Sequence, residues 1–276
     1  MTTPTTSQSA LPPDLCRYHA ESGVAVLTLH NPPANTYSYE MMQALDAAIL
    51  RARMDDDVHV VVLTGAGEKF FCAGADIAML DRVTPGFKYY FCLHANETLL
   101  RLEQTPKLVI AAINGHCVGG GLEVALAADL RLAPAGAKFK LGLPEVGLGV
   151  LPGTGGTQRL PRLVGPARAL ELMVKGQNLT VEQAHSLGLL TELLTPTVGQ
   201  SFLQAAVQYA RGFCPPDRAA MAVGRIKRAV QTGAELPLAA GLALERELQQ
   251  QLFQSADAKE GISAYVQKRP ARFQGK

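Results

Sequence analysis

Two stretches leave the chain little freedom in how it can fold. Residues 58–64 and 108–113 are almost wholly apolar. Strands of that kind do not alternate, so both faces must be covered, the condition of a parallel sheet held between layers. Residues 24–29 alternate instead, as a half-buried strand does, and Asn31-Pro32-Pro33-Ala34-Asn35 stops them. Ser38 can cap a helix whose apolar residues Met42, Leu45, Ala48, Ile49 and Ala52 recur at helical spacing, and Asp55-Asp56-Asp57 ends it. Covered strands alternating with helices predict an α/β fold.

From Thr180 onward the pattern turns helical. Thr180 and Gln183 form a capping box, and residues 202–210, 218–230 and 238–253 all predict helices. We expect an arm over 1–14, an α/β core over 15–195 that carries the chemistry, and a helical region over 196–276. The stripe Leu238, Leu242, Leu248, Leu252 needs a surface to cover it, either the core or a neighbouring subunit.

Composition narrows the function. The 276 residues carry a formal charge of +2, which gives no evidence for a nucleic-acid or membrane partner. No 18-residue apolar run is present, so no membrane span is expected. The first fourteen residues lack both an apolar core and Arg, which argues against a targeting segment. Five cysteines, none in a C-x-x-C pair, predict reduced thiols and a cytoplasmic protein. None of the six histidines stands at metal-ligand spacing, so no metal is expected. His116, beside a glycine turn, is a tempting base, but packing accounts for it more simply, and Cys72 and Cys117 have no basic partner to make a thiolate. Phe87, Tyr89, Tyr90 and Phe91 fit either an acyl pocket wall or an amphipathic surface helix.

Glycine-rich stretches carry the chemistry. Gly119-Gly120-Gly121 joins strand 108–113 to a helix expected near Leu122, leaving bare N–H groups at the positive end of a helix. Gly65-Ala66-Gly67 and Phe70 to Asp76 form a second such turn, in which Gly74-Ala75 can present amides. Two sets of amides at neighbouring strand ends make an oxyanion hole. Neither Gly119–Gly121 nor the stretch from Gly153 to Leu160 has the spacing of a phosphate-binding loop. Glu123 follows the first glycines in the opening helical turn. Taken singly it is an ordinary helix-start residue. Glu145 is the only charge in an apolar loop over 141–156, where burying an unpaired carboxylate is costly. The two can converge across a cleft at the strand ends.

The segments AGADI (73–77), NGHCVGGGLEVALAADLR (114–131) and LPEVGLGVLPGTGGTQRLPRLVG (143–165) resemble the signatures of the crotonase family, in that family's order and spacing. The similarity runs over about 24–273 and is nearest to enoyl-CoA hydratases. It implies a crotonase-like fold of repeated strand–strand–helix units with a helical C-terminal region that builds trimers, often paired into hexamers. It implies an acyl-CoA thioester substrate, with no cofactor beyond the coenzyme A of the substrate itself. By resemblance the amides of Ala75 and Gly120 form the oxyanion hole, Glu123 and Glu145 hold the water, and Gly153 presents an amide near it. Ala34, Ala73, Gly74, Asp76, Ile77, Ala78, Gly119 and Pro144 line the substrate and coenzyme A path, and Lys268 contacts its phosphates. The implied reaction is addition of water across a 2-enoyl-CoA, as in fatty-acid β-oxidation. Δ3,Δ2-enoyl-CoA isomerisation and hydration of a branched, methylglutaconyl-type substrate are the alternatives, with a non-catalytic RNA-binding relative a third.

The chain departs from the family's commoner pattern twice. Asn35-Thr36-Tyr37 stands where Asn-Ala-Leu is usual, and Ala78 where lysine is common. Both departures are expected to alter acyl or coenzyme contacts and to leave the catalytic set alone.

Overall fold

In the chain, β1 (Cys16–Glu21) and β2 (Val24–Leu29) form an antiparallel hairpin, and α1 (Tyr39–Met54) leads on to β3 (Val60–Gly65). This computed structural model describes residues 14–276; apart from Asp14, the arm expected over 1–14 lies outside the described residues. Three strand–strand–helix units follow. The strands β3 and β4 (Phe70–Cys72) lead to α2 (Ile77–Leu80) and α3 (Pro85–Glu103). The pair β5 (Leu108–Ala112) and β6 (His116–Val118) leads to α4 (Gly120–Leu126). Last, β7 (Leu130–Pro134) and β8 (Leu141–Gly142) lead through a 3-10 turn, Glu145–Leu148, to α5 (Gly156–Val164). Then come α6 (Pro166–Val174), β9 (Asn178–Leu179), α7 (Val181–Ser186) and β10 (Glu192–Leu194).

The first strand of each unit joins a six-stranded sheet ordered β1-β2-β3-β5-β7-β10, and the second joins a four-stranded sheet ordered β4-β6-β8-β9. Because β4, β6 and β8 run parallel, the loops after all three emerge at one edge. Ligands bind at such carboxyl ends of strands.

The apolar runs are covered on both faces, as their pattern requires. Val61 and Leu63 of β3 pack with Leu27, Leu45 and Leu99. Val60 and Val62 face the opposite cluster, completed by Ala206 and Ala210 of α8 (Phe202–Arg211).

The passage from 108–113 to the helix differs from expectation. Strand β6 intervenes, and α4 begins at Gly120 instead of near Leu122. The cause is the turn at Asn114-Gly115, which hands the chain from one sheet to the other. The Asn114 side chain accepts from Gly65 N at 3.1 Å and donates to Gly65 O at 2.9 Å. Gly115 meanwhile lies against the Lys69 backbone, where no Cβ fits.

In the C-terminal region, α9 (Ala220–Gly233), α10 (Leu238–Phe253) and α11 (Ala256–Val266) follow α8. Lys227 of α9 forms a buried ion pair with Asp129 at 2.8 Å, and Asp129 also accepts from Val109 N at 2.7 Å, which pins the helix to the core. The α10 stripe is only partly covered within one chain: Leu248 is buried, while Leu238 and Leu242 remain exposed.

Candidate active site

The loops after β4 and β6 meet closely. A Cβ placed on Gly74, which has φ +90°, would lie 3.0 Å from Gly120 N. Ala75 forms a parallel bridge with Tyr37, made through Tyr37 N to Gly74 O (2.9 Å) and Asp76 N to Tyr37 O (3.1 Å). In a parallel bridge of this kind the intervening residue turns its own N–H the other way, so Ala75 N points away from Tyr37. Gly120 is the first residue of α4, and an N–H there has no intrahelical acceptor. Two neighbouring amides are thus free for one acceptor. Gly119 supplies the turn, with φ +56° and ψ −137°, a conformation open to glycine.

Glu123 sits one turn into α4 and is 2% exposed. Its Oε1 accepts from Thr154 N and Gly156 N, both at 2.7 Å. Those donors belong to Pro152-Gly153-Thr154-Gly155-Gly156, which wraps the carboxyl just ahead of α5. Gly156 has to be glycine: a Cβ would lie 2.9 Å from Leu143 Cδ1 and 3.1 Å from Glu123 Cγ. Burial raises the Glu123 carboxyl above its ordinary range, and the two amides oppose that rise.

Glu145 opens the 3-10 turn behind Pro144 and is half-buried. Its Oε1 lies over Gly119, 3.1 Å from where a Cβ would stand. Its Oε2 is buried with no hydrogen-bond partner. Desolvation, together with the charge of Glu123, pushes its pKa up to about 7. A buried acceptor without a donor is costly unless the group keeps its proton or meets a ligand. Lys88 of α3 acts electrostatically on both carboxyls and pulls each downward.

The structure brings together Glu123, Glu145, Gly74, Ala75, Gly119, Gly120 and Pro144. Ala34 and Ala73 are joined to the same edge by the bond from Ala73 N to Ala34 O at 3.0 Å. Asp76 caps α2, accepting from Met79 N at 3.2 Å, and Ile77 and Ala78 are exposed beside it. Gly153 lies in the wrapping loop, but the bonds to Glu123 come from Thr154 and Gly156. Lys268 stands exposed beyond α11 with φ +55°, and no contact within the described residues ties it to this edge.

His116 accepts from Lys140 N at 3.2 Å through Nδ1, a packing role. Burial holds the Cys72 thiol at about 12 and raises Cys117 well above its usual value, so neither is a nucleophile. The aromatic run divides. Phe91 is buried against Tyr37, ring centroids 5.7 Å apart, while Tyr89 and Tyr90 are 64% and 67% exposed.

One expectation needs correction. The Asn35-Thr36-Tyr37 departure does touch the glutamate's surroundings. Tyr37 is 3% exposed, and its hydroxyl is 2.8 Å from Thr154 Oγ1, in the residue whose amide holds Glu123. The ring fills the space where a Gly120 Cβ would be. Sequence reasoning treated Tyr37 as an acyl or coenzyme contact because nothing local links it to residue 154. Thr154 and Gly156 were missed for the same reason, although the glycine spacing around them was a usable signal.

Comparison with known proteins gives the family. The enoyl-CoA hydratase/isomerase family model matches residues 19–276. A short-chain-enoyl-CoA hydratase from Clostridium acetobutylicum is 37% identical, over 90% of this chain and 93% of that protein. A crotonyl-CoA hydratase from Syntrophomonas wolfei is 34% identical, over 92% and 95%. An enoyl-CoA hydratase crystal structure from Geobacillus kaustophilus superposes with a TM-score of 0.90 at 43% identity, covering 95% of this chain and 97% of that one. The chain belongs to the enoyl-CoA hydratase/isomerase family.

Proposed function

We propose that this chain is a hydro-lyase that adds water across the 2,3 double bond of a 2-enoyl-CoA. One observation carries the reading: two carboxyls of unlike setting beside a pair of free amides. Glu123 is gripped by two N–H donors that favour its anion against the opposing effect of burial, and Glu145 is pushed up to about 7, which keeps a proton available near neutrality. Water bonds to C3 as Glu123 takes its proton. The C2–C3 π electrons move toward the thioester, and its oxygen gathers charge under Ala75 N and Gly120 N. The Glu145 proton then goes to C2. Such donors contribute on the order of 10²- to 10³-fold each. The two carboxyls exchange a proton to reset the site.

The relatives named for short-chain-enoyl and crotonyl substrates favour a short acyl chain. The reaction asks for no metal and no cofactor beyond the substrate's coenzyme A. The segment 73–78 and Lys268 are assigned to that moiety. Among the described residues no helix is long and apolar enough to cross a membrane, and we place the protein in the cytoplasm. Exposed Leu238, Leu242, Phe253, Ile262 and Val266 in the C-terminal helices support burial between copies of the chain, as a trimer or a dimer of trimers. Isomerisation needs one carboxyl, so a second one held this firmly favours hydration. The test offers crotonyl-CoA and a 3-enoyl-CoA separately. Loss of the conjugated thioester's ultraviolet absorbance with crotonyl-CoA is expected. Rapid conversion of the 3-enoyl substrate to the conjugated form, without later hydration, would make the protein an isomerase.

A further inference from the structure

Tyr37 is the residue on which the separate parts of the site converge. Its backbone brackets Ala75: the amide goes to Gly74 O, and the carbonyl receives Asp76 N. Its ring rests on Gly120, where a Cβ would fall inside the hydroxyl and Cε1. Its hydroxyl meets Thr154 Oγ1 at 2.8 Å, with both residues 3% exposed or less. The Thr154 amide holds Glu123 at 2.7 Å. The wall behind the ring is Phe91, so no solvent replaces the hydroxyl's partner.

We propose that Tyr37 is a positioning residue that couples the two oxyanion amides to Glu123, through a relay in which its hydroxyl fixes the Thr154 side chain and thereby the Thr154 amide that donates to the Glu123 carboxylate. With its side chain fixed, Thr154 keeps its amide aimed at the carboxylate, and a fixed N–H donor on a carboxylate favours the anion, which suits Glu123 as the base. The tyrosine replaces the commoner apolar residue at this position, so the relay is a feature of chains carrying this substitution and not of the family at large.

The inference rests on the hydratase reading, and its test separates the two. Tyr37→Phe removes the hydroxyl and keeps the ring against Gly120. With crotonyl-CoA, kcat is expected to fall about tenfold while KM stays within about twofold. Loosening the Thr154 amide's hold on the carboxylate raises its pKa, so the acid limb of the kcat/KM profile should move to higher pH. Thr154→Val should match Tyr37→Phe, and the double variant should lose little more than either single one. Independently of turnover, carbon-13 NMR of carboxyl-labelled glutamate should show Glu123, identified by its loss in Glu123→Gln, titrating at higher pH in Tyr37→Phe. An unmoved acid limb and Glu123 titration with an undiminished kcat would overturn the relay and leave the hydratase reading standing. If the wild type hydrates nothing, that reading falls, and the NMR titration alone decides the relay.

Discussion

The two carboxyls share a pKa raised by burial but differ in how they are held. Glu123 projects from a helix into a closed cradle, with two amides on one oxygen and packed atoms on all sides. Glu145 stands on a short 3-10 turn at the rim, next to the exposed Val146 and Leu148, with one buried oxygen lacking a donor. A base needs fixed donors that favour its anion. An acid needs a setting that does not. Burial raises both carboxyls, but two amides oppose that rise at Glu123, while Glu145 Oε2 has no donor.

The comparison is most easily broken from the Glu123 side. Gly156→Ala drives a Cβ to within 2.9 Å of Leu143 and Pro152 and 3.1 Å of Glu123 Cγ, so the cradle must shift. We expect kcat on crotonyl-CoA to fall about a hundredfold while circular dichroism is unchanged. Gly119→Ala, on the Glu145 side, meets only the end of a flexible carboxylate at 3.1 Å, together with a strained φ of +56°. A loss of about tenfold is expected, smaller because Glu145 can yield. Equal losses in both variants would mean that the two environments are not as unlike as described.

Two pH effects sharpen the same contrast. Glu145 must carry its proton to deliver it, so kcat/KM for hydration should decline as pH rises through about 7. The stability consequence has the matching sign. The folded protein holds this proton up to about 7, whereas the unfolded chain releases it near 4.5. The stability it contributes is present below 4.5 and lost above about 7. Glu145→Gln should therefore melt about 2 °C above the wild type at pH 8 and show no such advantage at pH 4.5, by calorimetry.

Much of this was legible in the sequence. The apolar runs 58–64 and 108–113 announced covered strands, and Ser38, Thr180 and Gln183 marked helix starts that the structure places there. Glu145 stood out because a single charge in an apolar loop needs a reason. The relay did not stand out. Tyr37 and Thr154 are 117 residues apart, and only the stacking of the loops after β4 and β6 against the 152–156 wrap makes them neighbours. The extra strand β6 was hidden as well, since three residues are too few to show a period.

The central claim is that Glu123 and Glu145 act as one unit on one water and one carbon pair. It is tested most directly by steady-state hydration of crotonyl-CoA with Glu123→Gln, Glu145→Gln and the double variant, each checked for folding. The account predicts that either single change lowers kcat about 10³-fold and that the double change costs little beyond one of them. A single variant within a few-fold of wild type, or losses that multiply in the double variant, would contradict it.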